Sequence, residues 1–207
     1  MIISKIRQTA ALIVPALNME KSMIPFCLKT LKGLSDEFKA LVEPMVAPLQ
    51  VREGMAFLTV HGRNIQKDDT LRRPGAHIDG NYMNYEPGQP FKSFGSGGGN
   101  GWKLGQTGPY IEEQEHLDSY ENEKGGIIMV SNFQSCKAYA GEFEGSPGRG
   151  GDCTHIKLNE GFHLEPNKVY YGNNRMVHES LPVSEDTQRT LIRITLPITH
   201  EFEELTA

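Results

Sequence analysis

From Gly126 onward the apolar residues come in short runs, each separated from the next by Gly, Pro or Asn. The runs are Ile127 to Val130, Ala138 to Phe143, Thr154 to Leu158, Val169 to Gly172, Met176 to Leu181 and Thr190 to Leu196. Punctuation such as Gly145-Ser146-Pro147-Gly148 and Gly172-Asn173-Asn174 marks turns, so this half reads as strand and turn in alternation. An earlier run, Met55 to Val60, is equally β-prone and meets His61-Gly62 at its end. Only one stretch has helical spacing. Ser35 offers a capping hydroxyl, Asp36 and Glu37 place carboxylates in a first turn, Phe38, Leu41 and Val42 follow, and Pro44 and Pro48 are expected to end the helix.

Many short strands and few helices predict a mainly β fold with peripheral helices, of the sandwich or barrel kind. A chain of 207 residues with 38% apolar content can bury one substantial core, so a single domain over 1–207 is expected. Two decorations are expected on it: an N-terminal helical extension over about 1–50 and a long polar, glycine-rich insertion over about 86–125. The apolar run Ala10 to Leu17 is too short for a membrane span and contains Pro15. It is expected to pack on the domain as a strand or short helix, and no membrane partner is expected.

A formal charge of -5 and a pI near 5.8 lack the basic excess that binding a phosphate backbone demands, so duplex nucleic acid is not the expected partner. Arg72 and Arg73 form a small basic patch that equally fits a solvated loop. Cys27, Cys136 and Cys153 match neither a disulfide framework nor a C-x-x-C site, and a reducing, cytoplasmic setting is the corresponding expectation.

The chemistry gathers around Pro74-Gly75-Ala76-His77-Ile78-Asp79-Gly80. On an extended backbone His77 and Asp79 project to one face, where they can chelate a cation. In Met176-Val177-His178-Glu179-Ser180, alternation groups Met176, His178 and Ser180 and turns Glu179 away. Two histidines and a carboxylate on one side of a metal leave positions open for other ligands. His61, His116, His155, His163 and His200 have no comparable spacing and are expected to be surface or satisfied core residues, with His155 and His163 the two of most interest.

The strand Arg189 to Leu196 sharpens the picture. Ile192, Ile194 and Leu196 share one face, and Arg189, Leu191, Arg193 and Thr195 share the other. A buried guanidinium needs an anion, so this face reads as a wall for a carboxylate-bearing ligand. Positions four apart on a strand lie about 13 Å apart at Cα, so both arginines reach one diacid only from opposite ends. The alternative for Arg189 is a place at the mouth, paired with Glu185 or Asp186.

His77-x-Asp79, the distal His178 and arginines on the following strand resemble the Fe(II)/2-oxoglutarate-dependent dioxygenases, which carry the arginine there, often as R-x-S or R-x-T. Arg189 stands eleven positions after His178 and Arg193 fifteen, with Arg193-Ile194-Thr195 matching the short pattern. The paired arginines look like the taurine dioxygenase branch. The resemblance covers the motif strands, from about Phe57 to Leu196.

It implies a double-stranded β-helix, the jelly roll shared with cupins, with Fe(II) on His77, Asp79 and His178. It also implies 2-oxoglutarate held by Arg193 first and Arg189 second, with Thr195 beside them, and O2 as co-reactant. Decarboxylation to succinate would drive oxidation, most often hydroxylation, of a small molecule or an amino-acid side chain. Asn81 and Tyr82, directly after the metal segment, are candidate substrate residues. Two rival readings are a cupin-type metal enzyme that does not use 2-oxoglutarate and a non-catalytic jelly-roll binding module.

Overall fold

The computed structural model describes residues 1–79, 124–148, 151–197 and 199–202. The expected insertion over about 86–125 falls almost entirely outside them, as do Asn81 and Tyr82.

Among the described residues the chain forms one helix and twelve strands. In order they are β1 (Ile2–Ser4), β2 (Ile6–Ala11), β3 (Met19–Cys27), α1 (Asp36–Val46), β4 (Met55–Ile65), β5 (His77–Ile78) and β6 (Gly126–Ser131). Then come β7 (Cys136–Tyr139), β8 (Gly141–Phe143), β9 (Phe162–His163), β10 (Lys168–Asn173), β11 (Val177–Ser180) and β12 (Thr187–Thr195). A six-stranded sheet runs β2-β10-β6-β12-β4-β3 and a four-stranded sheet runs β5-β11-β7-β9, with β1 and β8 making a separate ribbon. All pairings are antiparallel. The result is a jelly-roll-type sandwich whose sheets do not close into a barrel.

Alternation sorts the apolar residues into three cores. On the large sheet, Leu58, Val60, Ile128, Val130, Ile192 and Ile194 face outward and pack with Val42, Met45 and Val46 of α1. The intervening Ile127, Met129 and Leu191 face inward and meet Cys136, Ala138 and Met176 from the small sheet's side. Beyond the small sheet, Ile78, Val177 and Tyr139 pack with Ile2 and Phe143 of the ribbon. The space between the sheets is thus bounded by the inner faces of β12, β6 and β4 on one side and of β5 and β11 on the other.

Several local expectations are corrected. Residues 1–50 are not a helical extension: they contribute three strands and one helix, and β2 extends the large sheet by pairing with β10. Residues 10–17 contribute only the end of that strand. β4 does not stop at His61-Gly62 but runs to Ile65, and the glycine is needed there because a Cβ would collide with the Leu17 carbonyl. Pro44 lies within α1; it removes one backbone donor, yet the helix continues until Val46. The run Thr154 to Leu158 is no strand, because Asp152 accepts hydrogen bonds from the amide and hydroxyl of Thr154 and holds the chain in a turn. The run Ala138 to Phe143 is divided between β7 and β8 before Gly141, whose φ of 140° lies outside the comfortable range of other residues. Among the described residues no helix is long and apolar enough to cross a membrane.

Candidate metal centre

His77 and His178 are direct cross-strand partners in the β5–β11 pairing. Their ring centroids are 4.6 Å apart. Since Ile78 and Val177 point outward into the ribbon core, the pleat turns both imidazoles inward, and Asp79 follows just after β5 on the same face. His77 Nε2 lies 3.8 Å from Asp79 Oδ1 and His178 Nε2 lies 3.3 Å from Asp79 Oδ2. All three side chains are buried, and one ligand atom from each falls within 4.8 Å of the others.

The hydrogen bonds of the two rings suit a metal. His77 Nδ1 is 2.7 Å from the Gly75 carbonyl and His178 Nδ1 is 3.2 Å from that of Met176. An Nδ1–H donated to a carbonyl leaves Nε2 as the lone-pair nitrogen and fixes the ring's direction. Burial, helped by His178, lowers the pKa of His77 to about 4, so the ring is neutral at neutral pH despite the opposing pull of Asp79. Burial works to raise the pKa of Asp79, but Arg193, His178 and His77 outweigh it and hold the carboxyl well below its usual range. Neutral imidazoles and an ionised carboxylate are the forms that ligate a divalent cation. Ligands about 2.1 Å from one ion lie roughly 3 Å apart, so small side-chain movements would close the triad on it.

The opposite wall carries the arginines. Arg193 is buried and its Nη1 donates to Asp79 Oδ2. Arg189 is fully buried as well, but its surroundings differ. Its Nε donates to Ser131 Oγ at 3.2 Å, its Nη1 to Ser180 Oγ at 3.3 Å and its Nη2 to Cys136 Sγ at 2.9 Å. None of the three is a carboxylate. The alternative that pairs Arg189 with Glu185 or Asp186 does not hold: Asp186 instead accepts the backbone N–H of Lys67. Thr195 is buried on β12, in register with Phe57 and Ile127.

His155 and His163 do not join the centre. His155 is exposed beside Asp152 and the Ser146 carbonyl, and His163 is exposed on β9. His200 is buried against the Tyr171 hydroxyl. Glu179 points away, as alternation requires, and accepts from the Tyr139 hydroxyl.

Two neighbours were not singled out by the spacing of the sequence. His61 lies in register with Leu191 on the inner face of the large sheet, and Arg72 Nη1 sits 3.2 Å from each of its ring nitrogens. Extending the alternation of Phe57 and Thr59 by two residues would have marked His61; Arg72 is on a loop, where no periodicity applies. Compared with known proteins, the chain matches no family model, no curated protein and no solved structure, so what is established is a buried His-Asp-His cluster able to hold a metal in a β-rich fold.

Proposed function

We propose that this protein is a mononuclear Fe(II) oxygenase that consumes 2-oxoglutarate and O2 to oxidise an organic substrate. The observation that carries the reading is Arg189, a fully buried guanidinium on the wall facing the triad whose partners are two hydroxyls and a thiol. A buried cation without an anion is costly, and a ligand carboxylate would repay that cost.

Its position suits the far end of a short diacid. Ser180, bonded to Arg189, lies two residues from His178 on the same face of β11, about 7 Å along the strand. A five-carbon diacid anchored at the triad would extend its distal carboxylate toward Arg189. That favours Arg189 over Arg193 for this role, the reverse of the order expected from the motif, because Arg193 is engaged with Asp79 beside the triad.

Two nitrogens and one carboxylate with open positions form a donor set suited to Fe(II), and iron with its cosubstrate would supply the activation of oxygen. The chain's own residues prepare the site. The Gly75 and Met176 carbonyls aim the imidazoles, Arg193 keeps Asp79 ionised, and Ser131 and Ser180 orient the Arg189 fork. Met129, Met176 and Leu191 supply apolar surface to part of the inner space.

The test is succinate formation from 2-oxoglutarate by purified protein supplied with Fe(II) and ascorbate in air. Turnover is expected, and Arg189→Met should raise the KM for 2-oxoglutarate at least tenfold. Iron binding without succinate would favour a metal enzyme that does not use 2-oxoglutarate. Unchanged iron binding after His77→Ala and Asp79→Ala would leave only a binding module.

A further inference from the structure

The inner space carries more positive charge than the proposed reaction uses. Among the described residues, the guanidiniums of Arg72, Arg189 and Arg193 and the single carboxylate of Asp79 interact around it. Counted over these described side chains alone, the balance is two positive charges. A divalent cation and a dianionic cosubstrate cancel each other, so the excess persists with both bound.

Arg72 is where that excess is exposed to a further ligand. Its guanidinium is half-buried, and its side-chain hydrogen bonds go to His61 alone. His61 supplies no counter-charge: burial first, then Arg72, Arg193 and Arg63, lower its pKa to about 4, and Ser22 Oγ stands 3.1 Å from its Nε2. Glu20, which register sets opposite His61, is exposed and forms no ion pair with Arg72. Burial and the nearby Arg193 also destabilise the Arg72 cation, lowering its pKa to about 10, and Asp79 offsets this only in part. The guanidinium therefore remains charged at neutral pH, next to a neutral ring.

We infer that Arg72, seated against His61 on the inner side of the large sheet, binds an oxoanion of the substrate: a carboxylate, sulfonate or phosphate group. This rests on the oxygenase reading only in naming that ligand the substrate. A guanidinium presents a planar fork that matches two oxygens of such a group, whereas a neutral molecule would leave the charge unmatched.

The experiment is calorimetric titration of inorganic sulfate into Co(II)-loaded protein saturated with 2-oxoglutarate, with chloride exchanged to keep ionic strength constant. One saturable site is expected. Arg72→Gln should weaken it at least tenfold and Arg72→Lys at least threefold, since lysine keeps the charge and loses the fork. Arg52→Gln, on the distant Arg52–Glu43 pair, should leave it unchanged. No saturable sulfate site in the wild type, or wild-type affinity in Arg72→Gln, overturns the inference. If Arg72→Gln does not fold, wild-type affinity in Arg72→Lys does so. Failure of 2-oxoglutarate to bind would sink the oxygenase reading separately, and the Arg72 site would then be measured by the same sulfate titration on the Co(II)-loaded protein alone.

Discussion

The two faces of β12 are buried alike and are built for different ends. Outward, Ile192 and Ile194 enter an apolar core closed by Val42, Met45 and Val46 of α1. Inward, Arg189, Leu191, Arg193 and Thr195 are also buried, yet two of the four are guanidiniums. Apolar side chains are stabilised by leaving water, whereas charged ones are stabilised there only by partners. Arg193 has the Asp79 carboxylate; Arg189 has two hydroxyls and a cysteine sulfur. Burial alone therefore separates nothing on this strand. The identity of the partners distinguishes a face that holds the fold from one prepared for a ligand.

The largest effect should come from breaking the triad. His178→Ala is expected to abolish detectable Co(II) binding and to reduce succinate formation more than a hundredfold, both measured on protein shown to be folded by circular dichroism. Asp79→Ala should do the same and in addition destabilise the metal-free protein by about 3–5 kcal/mol in urea unfolding, because the buried Arg193 guanidinium would lose the carboxylate it donates to. A metal-free Asp79→Ala protein as stable as wild type would mean that the ion pair is not what compensates Arg193.

On the outer face, Ile194→Ala should cost about 2–5 kcal/mol by emptying space against the helix core, with metal affinity per folded molecule unchanged. On the inner face, Arg189→Met should have the opposite signature: stability unchanged or raised in the absence of ligand, and affinity for 2-oxoglutarate reduced at least tenfold. Thermal unfolding with and without 2-oxoglutarate reads both quantities. A large loss of stability in Arg189→Met would place that arginine with the structural residues and remove the contrast.

A further effect is in pH. His77 and His61 have pKa values lowered to about 4 from an ordinary 6.5, so the unfolded chain takes up protons that the native protein refuses. The stability tied to these histidines is complete above pH 6.5 and is lost as pH falls from 6.5 through 4. Asp79, lowered from 3.8, adds a further loss below that window. Urea unfolding of metal-free protein at pH 7, 5.5 and 4.5 should show the decline, with a shallower slope in His61→Gln. An equal slope in the variant would mean that His61 is as easily protonated in the native protein as in the unfolded chain.

How far the sequence could be read depended on how local the cause was. The strands after Gly126 were legible because period-two patterning is a property of adjacent residues, and it placed Ile192 and Ile194 opposite Arg189 and Arg193 correctly. The turn at Asp152 and the reach of β4 past Gly62 were less legible, since one depends on a side-chain cap and the other on where Leu17 passes. The N-terminal strands were missed because their order depends on pairing with β10 and β4, more than a hundred residues away in the first case.

The sequence alone determined which residues can act: His77 and Asp79 on one face, His178 on a strand of matching phase, and arginines on the inward side of β12. Tertiary structure decided what each of them meets. Arg193 is committed to Asp79, 114 positions away, while Arg189 lies among Ser131, Cys136 and Ser180, and Arg72 comes to rest against His61. The physical reason is that pleat and periodicity set the direction of a side chain over a few residues, whereas its counter-charge is supplied by whichever distant strand the topology brings alongside.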